Sequence, residues 1–140
     1  MTITEAFDAL LEEKGFTLIK EENEHGNVVY SGSFESPEGN KIPFGVVFQR
    51  NESPTDYQII YRGVAYLKDY GKKAAVLELL NDLNQGEALY YKVSLHGDGE
   101  VQIHAHGRTT DDMNPLYTIM VAGSNVAQLV NERVQRFITE

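Results

Sequence analysis

Between Phe16 and Leu67 the sequence alternates apolar and polar residues at a period of two, and turn clusters cut the pattern into four runs. The runs are FTLIKEE, NVVYSGSFE, KIPFGVVFQR and DYQIIYRGVAYL, and the separators are NEHGN, SPEGN and NESPT. A period of two sends successive side chains to opposite faces of a strand. Each separator carries Gly, Pro or Asn, the residues that supply the backbone angles a hairpin connection needs. Four strands joined by short turns form an antiparallel meander.

The flanking segments change period. Thr4 ahead of Glu5-Ala6-Phe7 reads as a helix N-cap, Phe7, Leu10 and Leu11 make one apolar stripe, and Gly15 is the stop. Lys72 to Asn84 reads as a second helix, with Val76, Leu80 and Leu83 on one side and Gln85-Gly86 closing it. LYYKVSL and VQIHAHGR then flank HGDGE and make a second hairpin. Asn114-Pro115 opens a long amphipathic helix as N-cap and first helical residue, and Gly123-Ser124-Asn125 marks a place for a kink or a split. The expected order is α-β-β-β-β-α-β-β-α in one domain over residues 1–140. Strands grouped between helices indicate an α+β fold, an antiparallel sheet with its helices packed on one face.

Composition removes whole classes of function. Acidic residues outnumber basic ones by 21 to 12, a net charge of -9, which repels phosphate backbones and anionic lipid alike. No nucleic acid and no membrane is expected as a partner. The absence of cysteine removes disulfides, thiolate metal sites and cysteine nucleophiles together. MTITEAFDALLEEKGF is acidic and amphipathic where a secretory signal would be basic and then apolar, so the expected location is cytoplasmic.

VQIHAHGR carries the one arrangement resembling a metal motif, His104 and His106 on the same face of a strand. Alternation puts Val101, Ile103 and Ala105 toward the core and both histidines away from it. Cross-strand partners share a face, so Tyr91, Val93 and Leu95 must pair with odd-numbered residues, which requires the loop Gly97-Asp98-Gly99 with Gly99 left-handed. That register sets Lys92 opposite His104 and Tyr90 opposite His106. An ammonium across from a ligand opposes a bound cation, and zinc needs a third protein ligand besides. The histidine face is read as a solvated or interface-facing surface, with a metal-binding enzyme or sensor as the alternative.

Other catalytic arrangements are missing. Ser31, Ser33 and Ser124 stand in no G-x-S-x-G, the glycines form no phosphate-binding loop, and Glu12-Glu13, Glu21-Glu22 and Asp111-Asp112 are adjacent pairs whose side chains diverge. No cofactor and no enzymatic activity are expected. The tyrosines are more informative. In YQIIYRGVAYL, Tyr57, Ile59 and Tyr61 occupy one face, and Ile60, Val64 and Tyr66 the other. A strand apolar on both faces is either covered by helices within the protomer or buried against a partner. Tyr57, Tyr61, Tyr66, Tyr90, Lys92, His104 and His106 are therefore the expected interface set, with a homodimer as the simplest partner.

From Leu77 to Arg108 the pattern is a helix ending in Asn81 and Asn84, a strand, the Asp98-Gly99 turn and a second strand, followed by the terminal amphipathic helix. In this it resembles the bacterial YbjN family. The resemblance implies the type III secretion chaperone-like fold: a small acidic α+β protomer, commonly a homodimer, that binds protein segments and has no established catalytic residues. An extra strand-like run before the second helix departs from that pattern. The expected function is a non-enzymatic protein-binding module, chaperone-like or regulatory. A small-molecule-binding sensory domain, with a pocket between the sheet and the last helix, is a further alternative.

Overall fold

The computed structural model describes residues 1–139; Glu140, the last residue of the expected domain, lies outside the described residues. The elements are α1 (Ile3–Lys14), β1 (Ile19–Glu22), β2 (Val28–Glu35), β3 (Lys41–Phe48), β4 (Thr55–Tyr66), a 3-10 turn over Tyr70–Lys72, α2 (Lys73–Asn84), β5 (Lys92–Leu95), β6 (Glu100–Thr109) and α3 (Asn114–Thr139). All strands join one antiparallel sheet in the order β1-β2-β3-β4-β6-β5. The fold is α+β. Among the described residues no helix is long and apolar enough to cross a membrane.

The first helix is capped two residues earlier than its apolar stripe suggests. Thr2, not Thr4, is the N-cap: its hydroxyl accepts from the Glu5 N–H, and the Glu5 carboxylate accepts from the Thr2 N–H. This reciprocal pair satisfies two backbone donors at once. The side chain and backbone carbonyl of Asn51 take the N–H groups of Thr4 and Ile3, at 2.8 and 2.9 Å, which frees Thr4 to turn inward. Gly15 ends the helix in the left-handed region, a backbone conformation that residues with a Cβ adopt only with strain.

Helices α1, α2 and α3 all pack on the same side of the sheet. Phe7 of α1 meets Tyr30 of β2 and Phe48 of β3 edge-on, with ring centroids 4.6 and 5.2 Å apart. Tyr61 of β4 donates its hydroxyl to the Met120 carbonyl in α3 at 2.6 Å, and Tyr91 donates to the Ile119 carbonyl at 2.7 Å. Burial pushes both phenols well above the usual tyrosine range, so both remain protonated donors. These rings need the space beside Gly123, where an added Cβ would overlap the Tyr61 ring and the Tyr91 oxygen. Gly123 thus brings α3 close to the sheet; the helix runs unbroken through Gly123-Ser124-Asn125, neither kinked into two elements nor split.

Two strands depart from simple alternation. In β4 the register with β6 shifts between Tyr61 and Ala65, so Arg62, Gly63 and Val64 stand against the single residue Gln102. Gly63 takes a positive φ of 60° to make the bulge, and the Glu100 carboxylate receives its N–H at 2.7 Å. The bulge turns Val64 into the core at 1% exposure, off the face of Ile60, while Tyr66, opposite Glu100, returns to the Ile60 face and is half exposed. At the other edge, LYYKVSL forms strand only from Lys92 onward. Leu89 sits at φ 54°, and Asn84 takes the place of a further strand: its carboxamide accepts from the Val93 N–H at 2.7 Å and donates to the Val93 carbonyl at 3.0 Å.

Candidate binding surface

The second hairpin has the register its alternation requires. Lys92 pairs with His104, Val93 with Ile103 and Leu95 with Val101, closed by His96 donating its N–H to Glu100 at 2.8 Å, and Gly99 is left-handed at φ 89°. Val101, Ile103 and Ala105 are buried beneath the helices. His104 and His106 therefore project from the opposite face. Tyr90 precedes the strand and is half exposed, so the expected Tyr90–His106 pairing does not form.

That opposite face belongs to every strand. At the level of His104 it runs Ile19, Ser31, Gly45, Ile60, His104, Lys92 across the sheet; one step along the strands it runs Glu21, Val29, Val47, Gln58, His106. Among the described residues no helix covers it. Its middle is apolar and only partly exposed at Val29, Val47 and Ile60, and a shallow hollow lies beside Gly45, lined by Val29, Pro43, Val47 and Ile60. Charge divides across it. Lys41 faces Glu35, and Arg108 holds Asp56 at 3.0 Å, so those four charges offset one another. Arg62 is exposed on β4 at the rim of the hollow, Glu21 lies at one lateral edge and Lys92 at the other.

No protein-family model matches this chain, and no curated protein does.

His96, His104 and His106 form a stack on this face, with successive ring centroids 6.0 and 6.2 Å apart and planes within 21° of parallel. Parallel rings present faces to one another, whereas metal ligands must converge their nitrogens on one point. Among the described residues no group of three His, Asp or Glu side chains is placed to hold a metal ion. Burial, then the neighbouring His96, His106 and Arg62, hold the His104 imidazole below its ordinary range. Its Nε2 is buried without a hydrogen-bond partner within the protomer.

The sign of the resulting pH dependence follows directly. In the unfolded chain His104 takes up a proton near the ordinary value of about 6.5, while the folded protein resists it. Stability therefore falls as pH drops through the ordinary imidazole range and levels off below the folded-state value. A histidine-resolved NMR titration is expected to show His104 titrating below about 6.5. A midpoint at or above that value would refute the assignment.

The expected interface residues divide. Tyr57, 8% exposed, and Tyr61, 2% exposed, lie on the helix side. Tyr57 covers Gly107, where an added Cβ would come within 2.6 Å of its hydroxyl, and Tyr61 stacks on Phe44 at 5.2 Å. Both are interior residues of one protomer, the helix-covered reading of strand four. Lys92, His104 and His106 lie on the open face, Tyr66 is half exposed on the same face at the end of β4, and Tyr90 is half exposed ahead of β5. Sequence reasoning missed Val29, Gly45 and Val47 as members of the surface. The alternation of NVVYSGSFE and KIPFGVVFQR assigns them to the face opposite Tyr30 and Phe48, but their small size gives no separate signal. Tyr61, Tyr91 and Met120 fill the middle of the space between the sheet and α3, while a pocket lined by Ile42, Gly63, Ala65, Tyr66, Asn131 and Gln135 opens between β3, β4 and the later turns of α3.

Proposed function

We propose that this chain is a non-catalytic cytoplasmic protein-binding module, chaperone-like or regulatory in role, that works as a homodimer and has the type III secretion chaperone-like design. The observation carrying the reading is the bare face of a six-stranded sheet whose other face holds all three helices. An antiparallel sheet can leave one face to water, but that face is then ordinarily polar. Here Val29, Val47 and Ile60 run through its centre. Apolar side chains gathered on an exposed surface and rimmed by polar ones favour burial against another polypeptide. The concavities on the face are shallow, which suits a protein surface better than an enclosed small molecule.

Light scattering and pull-down together test this. The expected result is a particle of twice the 15.7 kDa chain mass, with a specific protein retained from host lysate. A strict monomer at high micromolar concentration that retains no protein would end the proposal.

A further inference from the structure

The protein-binding reading leaves the occupant of the open face unnamed, and resting on that reading, we infer that it is a second copy of this chain, packed sheet against sheet about a two-fold axis that runs along the strands between β3 and β4.

A two-fold interface brings one patch against itself, so the patch must be self-complementary. An axis in that position lays β3 over β4, β2 over β6 and β1 over β5 of the other copy. The strand order sets these strands level with one another, with Arg62 of each copy over Pro43 of the other beside the central contact. Gly45 and Ile60 are register partners on either side of the axis. Rotation places the Ile60 side chain of each copy over the hollow that Gly45 leaves in the other. Two knobs enter two holes with one operation.

The charged edges obey the same symmetry. Ile19 on β1 comes level with Lys92 of the other copy, and Glu21 lies one residue pair further along the same edge, so the acidic β1 edge of each copy meets the β5 edge that carries Lys92 in the other. Both edges gain an opposite charge, twice over. Ser31, on β2, comes over the His104 ring. An axis running across the strands would instead set β1 on β1 and β5 on β5, like charge against like. Aligned sheet packing at about 30° rotates the rows relative to one another without exchanging the two edges.

The area is sufficient. Strands about 4.8 Å apart, rising roughly 3.3 Å per residue, give a six-stranded face of these strand lengths on the order of 600 Å². Two such faces bury about 1,200 Å², the lower end of stable specific interfaces. The interface is correspondingly reversible, with its charged rim weakened by salt.

Sedimentation velocity on the full chain tests this with three variants. Ile60→Arg puts a guanidinium into the central hollow. Gly45→Leu fills the hollow from below; an added Cβ there meets only the Tyr30 carbonyl oxygen at 3.6 Å, an ordinary contact, so the fold accommodates it. Each is expected to raise the dimer dissociation constant at least about tenfold, with the circular dichroism spectrum and melting temperature near those of the parent. Reversing the edges, Glu21→Lys alone weakens the dimer, and Glu21→Lys with Lys92→Glu restores it. A parent that is monomeric at about 100 μM in low salt, or a dimer indifferent to both Ile60→Arg and Gly45→Leu, overturns the inference. A monomer that instead retains a foreign protein in an Ile60-dependent way overturns the second copy as occupant and leaves the protein-binding reading standing. A dimer through this face that retains no other protein sustains the inference and removes the chaperone-like role.

Discussion

Phe7→Ala is expected to destabilise the protein by about 3–5 kcal/mol, the range for removing a fully buried aromatic side chain. Phe7 has no exposed surface and packs edge-on against Tyr30 and Phe48, whose rings also contact each other at 6.0 Å. These three rings form the aromatic centre of the attachment of α1 to β2 and β3, beside the buried Ile3, Leu10 and Leu11. The polar attachment beside them, the Tyr30 hydroxyl donating to Asp8 at 2.7 Å, depends on the same ring staying in place. Truncation therefore leaves a cavity between layers that cannot close without shifting the helix. Urea unfolding measures the loss through a lower midpoint, and Phe7→Leu, which retains much of the volume, should lose less. A loss below about 1 kcal/mol for the alanine variant would show that α1 does not depend on this cluster.

Gly123→Ala should destabilise by about 1–3 kcal/mol or more. The direction is the informative part. In the interior of an exposed helix, alanine is favoured over glycine by about 1 kcal/mol, and α3 continues unbroken through this position. The reversal comes from the Tyr61 ring and Tyr91 hydroxyl, which occupy the volume a Cβ would take. Their hydrogen bonds to Met120 and Ile119 hold them there. In a Tyr91→Phe background one obstructing atom is gone, so the alanine penalty should shrink; the two changes are then non-additive. If Gly123→Ala stabilises the protein, the glycine is a helix defect and not a packing device.

Much of this architecture was readable because two periods, 2 and 3.6, change at chemically marked points. The second hairpin is the clearest case. Once Val101, Ile103 and Ala105 are assigned to the core, a shared face and the Gly99 turn fix the pairing down to Lys92 against His104. The misses occurred where a side chain from distant sequence overrode the local pattern. Asn51 takes the amides at the start of α1, so the cap moves to Thr2. Asn84 occupies the edge of β5, and the preceding tyrosines leave the sheet. Gly63 did carry a local signal, a lone glycine inside a strand, which marks a bulge. Ignoring it put Val64 on the wrong face. At Gly123 the ambiguity is intrinsic, because a glycine in a helix reads the same whether it bends the backbone or admits a neighbour. The open face was legible at its histidine end only; its hollow at Gly45 is defined by a missing side chain whose meaning depends on Ile60 across the strand pair.

The Asn84 carboxamide has a consequence for how copies of this chain can add to one another. A sheet with two free lateral edges can extend without limit, strand after strand, into a filament. Here the backbone groups of Val93 on the outer side of β5 are already taken. The opposite edge is the four-residue β1, with Lys20, Glu21 and Glu22 in its sequence. Growth by strand addition has a stop at one end and a short, charged start at the other, so assembly along that direction terminates instead of polymerising.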